Sequence, residues 1–174
     1  LYRRDGEGNY TLMTKLTASD PTANDYFGQS VSLGSGYALV GANGAGEKGQ
    51  AYLFDLSNTD INASQIKLTP RSSSGKFGWS VALGGGHALV GAQDATARGV
   101  NTAGAAHLFD LGAYDINASQ QKLTALDAQS ADLFGYSVTL GGGYALIGAA
   151  YEHGGGSDRG AAYLFNLRAP HINA

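Results

Sequence analysis

Few side chains in this 174-residue chain can do acid–base, metal or nucleophilic chemistry, and their spacing builds no catalytic set. Cys is absent, which excludes disulfides, thiolate metal sites and a cysteine nucleophile. Of four His, His153 has the richest company, in Tyr151-Glu152-His153-Gly154-Gly155-Gly156-Ser157-Asp158-Arg159. Two carboxylates, an imidazole and a guanidinium that close together suit a binding patch or a weak cation site. The Gly run among them reads as a solvated loop, so no metal is assigned. Glu occurs only as Glu7, Glu47 and Glu152, and no carboxylate pair recurs in register for glycoside hydrolysis. Gly84-Gly85-Gly86 precedes no helix that would offer its N-terminus to phosphate. A Gly-x-Ser-x-Gly elbow between strand and helix is also lacking. The reading is a non-enzyme, with no catalytic residue and no cofactor.

The elements around these residues repeat. Phe27-Gly28-Gln29-Ser30-Val31 returns as Phe77-Gly78-Trp79-Ser80-Val81 and as Phe134-Gly135-Tyr136-Ser137-Val138. Each copy runs on through LGSGYALVGA (33–42), LGGGHALVGA (83–92) or LGGGYALIGA (140–149). Then come Ala51–Leu56, Ala106–Leu111 and Ala162–Leu167, followed by INASQIKLT (61–69) and INASQQKLT (116–124). Short β-branched or aromatic runs separated by Gly, Asn, Asp and Ser predict strands. Each unit holds four positions, A from Phe27, B from Tyr37, C from Ala51 and D to Thr69. The Gly-rich link between A and B predicts a tight hairpin. Alternation along A sets Phe27, Gln29, Val31 and Leu33 against Gly28, Ser30 and Ser32. A bulky face opposite a tiny one suits sheets stacked closely on one another. A repeat of about 40–50 residues with four short strands points to a β-propeller blade. His87 stands where Tyr37 and Tyr144 do, and His107 where Tyr52 and Tyr163 do, which marks both as packing residues. Asp55, Asp110 and Asn166 match in register and are assigned to turns after C.

Phe-Gly-x-Ser-Val followed by Ala-Leu-Val-Gly-Ala resembles the FG-GAP repeat, found in integrin α-subunit propellers and many bacterial secreted proteins. The resemblance implies an all-β fold of tandem four-stranded antiparallel propeller blades. It also implies a non-enzymatic extracellular or cell-surface protein that works by adhesion and protein contact. Many members carry a calcium loop rich in Asp between A and B. Here that place holds Gly34-Ser35-Gly36 and its equivalents, so calcium binding is not carried over.

Residues 1–174 are read as one region, with units at 27–69, 77–124 and 134–174 and an extra N-terminal strand segment at 1–17. Strand D has a first copy at Tyr10–Thr17, ahead of any A, while the third unit stops at Ala174 where its D should begin. Propellers close with about four to eight blades, so three do not close easily. Tyr10, Leu12, Thr14 and Leu16 are therefore candidates for strand exchange, completing the last blade of another copy. A dimeric ring, a polymer or an excerpt of a longer propeller all follow from this. The start at Leu1 suggests a mature or excised piece.

A net charge of −3 gives no attraction to nucleic acid, and no apolar run is long enough to cross a bilayer. The B–C links (43–50, 93–104, 150–160) and D–A links (19–26, 71–76, 127–133) vary most, and they share one face. Variable loops on a rigid frame are where recognition concentrates. The ligand-face candidates are Lys48, Arg71, Lys76, Asp94, Arg98, Glu152, His153, Asp158 and Arg159. Partners are proteins or copies of the chain itself. A lectin-like module is the alternative, although Trp79 has only Gln29 and Tyr136 as equivalents and makes no repeated sugar platform. Asn9, Asn62 and Asn117 head Asn-x-Ser/Thr sequons, and the last two recur in register as a turn would.

Overall fold

The computed structural model describes residues 2–71, 75–153 and 159–169. Thirteen strands form a two-stranded ribbon and three antiparallel sheets among them. β1 (Tyr2–Arg4) pairs with β2 (Tyr10–Leu12). The first sheet is β3 (Ser30–Gly34), β4 (Tyr37–Ala42), β5 (Gln50–Asp55) and β6 (Ile66–Leu68), hydrogen-bonded in that order. The second repeats it with β7 (Phe77–Gly84), β8 (His87–Ala92), β9 (Ala105–Asp110) and β10 (Gln121–Leu123). The third has β11 (Phe134–Gly141), β12 (Tyr144–Ala149) and β13 (Ala161–Asn166). One 3-10 turn at Asn117–Ser119 interrupts this all-β, propeller-like arrangement of blades.

The A–B hairpins turn on two residues. Ser35-Gly36, Gly85-Gly86 and Gly142-Gly143 all take positive φ, as a type I′ turn demands. The expected alternation along A holds only over its second half. β3 starts at Ser30, so Phe27-Gly28-Gln29 lies outside the strand, and β7 and β11 are bulged between Phe77 and Ser80 and between Phe134 and Ser137. Gly28, Gly78 and Gly135 sit in this irregular stretch at φ near +90°, a conformation open to Gly at little steric cost. Gln29 and Tyr136 are consequently exposed rather than set on the buried bulky face, and Trp79 is half-buried.

That bulge presses each blade onto the one before it. A Cβ placed on Gly41 would lie 2.0 Å from the Gly78 carbonyl oxygen, and one on Gly91 would lie 2.1 Å from that of Gly135. Ser30 Oγ and Ser80 Oγ donate to the same two carbonyls at 3.0 and 2.8 Å. The Gly-Ala-x pattern of B and the Phe-Gly-x-Ser pattern of A are thus two halves of one backbone-to-backbone contact. Apolar packing accompanies it. Leu39 and Leu53 share a core cluster with Val81 and Leu83, and Leu89 and Leu108 pack with Val138 and Leu140.

The first copy of strand D departs from expectation. Only Tyr10–Leu12 is strand, already paired with β1 because the Asp5–Asn9 turn folds Tyr10 back opposite Arg4. Thr14 and Leu16 lie beyond the strand, and Leu16 packs against the core of the first sheet. The segment 15–19 is held instead by side-chain amides. Asn62 Oδ1 accepts from Thr17 N–H at 3.1 Å, and its Nδ2 donates to the Lys15 carbonyl at 3.1 Å. Gln65 does the same with Ser19 N–H and the Thr17 carbonyl, at 3.1 and 3.0 Å. One blade later, Asn117 and Gln120 grip 67–71 in the same way. Two recurrent sequon asparagines are therefore inter-blade clamps, each amide pairing with backbone as a neighbouring strand would. Asn9, at the third sequon, donates from Nδ2 to Asp5 Oδ2.

Candidate binding surface

The B–C and D–A links meet on one face, as their alternating strand directions require. Gly44 N–H donates to the Asp25 carbonyl, Asp94 N–H to that of Gly75 and Tyr151 N–H to that of Asp132, at 3.1 to 3.3 Å. A second tie reaches the next blade, from Phe77 N–H to the Lys48 carbonyl at 3.0 Å and from Phe134 N–H to that of Ala103 at 2.9 Å. Lys48 and Lys76 are brought close along the chain path by this bond, and both side chains are exposed. Arg98 stands at the tip of a small finger in the second B–C link. Ala97 and Val100 exchange both backbone hydrogen bonds across Arg98-Gly99, which have positive φ. Arg98 and Arg159 are also exposed.

Other candidates are drawn inward. Glu152 is buried, contrary to its assignment to an open loop, and it fills the place that Ala45 and Ala95 hold in the other blades. His153 Nδ1 lies 2.8 Å from Asp132 Oδ1, and Asp132 is almost wholly buried. Arg71 donates from Nη2 to the Ala118 carbonyl, so it braces the inter-blade clamp although its side chain is largely exposed. Asp94 is half-buried. Asp158 lies outside the described residues, as does the end of the third unit. Among the described residues no group of three or more His, Asp or Glu is placed to hold a metal ion.

The tyrosines of position C tie this face to the core. Tyr52 Oη donates to Asp20 Oδ1 at 3.0 Å, and Lys67 pairs with the other oxygen of Asp20. The hydrogen bond from Lys67 holds the Asp20 carboxyl below its usual range. Tyr163 Oη donates to Asp127 at 3.0 Å. Burial first, and then the adjacent carboxylate, push both phenols well above their ordinary pKa. In the second blade the shorter D–A link supplies no such carboxylate, and His107 stands in the tyrosine's place. It is almost fully buried, stacked edge-on against Phe77, and neither ring nitrogen has a hydrogen-bond partner among the described residues. Burial pushes its pKa down to about 3. The packing role read for His107 thus matches its position, and His87 bonds locally from Nδ1 to the Gly85 carbonyl. Asp55, Asp110 and Asn166 each accept a backbone N–H two residues on, closing the turn after C.

Stacked antiparallel blades of three or four strands, joined through glycine backbone and with irregular loops gathered on one face, define a propeller-type protein-interaction module. The chain belongs to the FG-GAP repeat family, whose sequence model matches residues 10–54, 64–109 and 118–165. Propellers of this family are generally non-enzymatic. None of the curated proteins matches the chain. Similar solved structures include the crystal structure of the computationally designed Ika4 protein, at TM-score 0.51 and 12% identity. That likeness spans 93% of this chain and 79% of the designed one, and it concerns the fold alone.

Proposed function

We propose that the chain is a non-enzymatic structural or adhesive protein of the cell surface or extracellular space, acting through protein contacts on the loop-bearing face. The observation that carries this reading is the Arg98 finger, exposed on the same loop-bearing face as Lys48 and Lys76. It sets adaptable, charged side chains on a frame whose backbone is locked blade to blade. Beads coated with the chain should adhere to protein-bearing cell surfaces, and the double substitution Lys48→Glu, Arg98→Glu should cut retention at least about tenfold, as expected of contacts worth 1.4 kcal/mol or more. Equal adhesion by the double variant would remove the loop face from the function. Strong signals on a glycan array would favour the lectin-like alternative.

Self-assembly by strand exchange belongs to the same proposal. β13 has a partner on one side only among the described residues, whereas β5 and β9 each pair outward with a fourth strand. An unpaired edge is a template for another chain, and Tyr10 and Leu12 are exposed on β2. Light scattering over a concentration series should show a mass above that of one chain. Monomer throughout would end this part of the reading.

A further inference from the structure

Each internal junction is built from the same pair of surfaces, and the two outer faces of the chain carry one surface each. At the junctions, Val and Leu of position A pack on Leu of positions B and C in the preceding blade. On the front of the first sheet, Val31 and Leu33 are 70% and 64% exposed, while their counterparts Val81 and Leu83 are 9% and 8% exposed. On the back of the third sheet, Leu146 and Leu164 are 41% and 66% exposed. The residues that match them in the first two blades, Leu39, Leu53, Leu89 and Leu108, are at most 3% exposed. A cleft of about 270 Å³ lies among Leu140, Gly141, Tyr144, Leu146 and Leu164. Its inner equivalents are filled, by Leu83 against Gly34 and by Leu140 against Gly84.

The backbone half of the contact is divided in the same manner. Cβ atoms on Gly78 and Gly135 would meet the carbonyls of Gln50 and Ala105 at 2.1 and 2.2 Å, yet nothing lies within 4 Å of the same point on Gly28. A front cleft of about 650 Å³ opens there, between Leu16, Ala18, Pro21, Tyr26, Phe27 and Gly28. At the back, Gly160-Ala161 stands in the register of Gly49-Gln50 and Gly104-Ala105, since Ala161 pairs with Ala149 as Gln50 does with Ala42 and Ala105 with Ala92. Among the described residues Gly148, unlike Gly41 and Gly91, has no carbonyl of a following blade against it.

We infer that a second copy of this chain docks its front face on this back face, reproducing the internal junction between chains. Val31 and Leu33 of the second copy enter the back cleft, Gly160-Ala161 enters its front cleft, and Ser137 Oγ donates to its Gly28 carbonyl. This deepens the self-assembly proposed above and rests on it, but places the join on sheet faces rather than on a strand edge. The two surfaces differ, so the contact is head-to-tail and yields a closed ring or an open filament.

The test uses the full chain and four variants, followed by light scattering. Leu33→Asp blocks only the front and Leu164→Asp only the back, and both positions are exposed, so each variant folds. Each alone should run at the mass of one chain, and an equimolar mixture should regain a dimer through the one intact junction. Gly148→Ala should also run as a monomer, whereas Thr11→Pro, which breaks β2 and spares both faces, should associate like the parent. A monomeric parent would overturn the inference and leave the two faces to other blades of the FG-GAP type. Loss of association in Thr11→Pro with retention in Leu33→Asp and Leu164→Asp would also overturn it, while upholding strand exchange.

Discussion

His107 shows how one residue absorbs a change in loop length. In the first and third blades a tyrosine reaches an aspartate in the D–A link, whereas the shorter link of the second blade has no carboxylate in its sequence and the buried imidazole has no polar partner among the described residues. A neutral ring tolerates that place and a charged one does not. Its folded pKa, about 3, lies below the 6.5 of the unfolded chain. The unfolded state therefore binds more protons between those values. The stability contributed by the neutral ring is whole above about pH 6.5, falls as pH drops and is fully lost below about 3. His107→Phe should flatten the pH dependence of the denaturant midpoint across that window. An unchanged slope would show that another group sets the acid sensitivity. Sequence comparison within the chain places His107 among core aromatics, but its near-complete burial becomes visible only once the sheets are stacked.

Strands and turns here are joined by two devices of different strength. The amide clamp is polar and partly exposed. Asn117→Ala removes two hydrogen bonds to 67–69 and should cost about 1–2 kcal/mol, with faster exchange of the Thr69 amide. Gln120→Ala should likewise expose the Arg71 amide. The glycine contact is backbone against backbone and cannot yield. Gly91→Ala would set a methyl 2.1 Å from the Gly135 carbonyl oxygen and should cost about 2–4 kcal/mol. Gly148→Ala is the matching change in the last blade. Its Cβ meets only the Ser137 side chain closely, at 2.4 Å from Oγ, which can rotate, so the cost to the single chain should stay below about 1 kcal/mol. Chemical denaturation of the two variants reads the difference. Equal losses would mean that the glycine answers to its own sheet rather than to the next one.

Across the whole molecule, burial changes with position in the stack. Strands β4, β5, β8 and β9 are covered on both faces, whereas β12 and β13 alternate between covered and open residues. Hydrogen exchange should follow this order. Amides of Ala161–Asn166 should exchange faster than those of Ala105–Asp110 at low concentration, because β13 lacks an outward partner among the described residues. The gap should narrow as concentration rises if copies associate.

The sequence alone determined the repeat, the positions of strands B and C, the A–B hairpins and the sharing of one face by the variable loops. All of these follow from local rules, namely side-chain alternation, β-branching and glycine at positive φ. The tertiary structure decided which polar groups are spent inside. Asn62 and Asn117 read locally as turn residues, yet their amides, with those of Gln65 and Gln120, act on segments about fifty residues away. Glu152 reads as a loop carboxylate and is buried, and Arg71 reads as a free cation and braces a neighbouring blade. Such pairings depend on how one sheet is set against the next, a geometry fixed by contacts far apart in the chain.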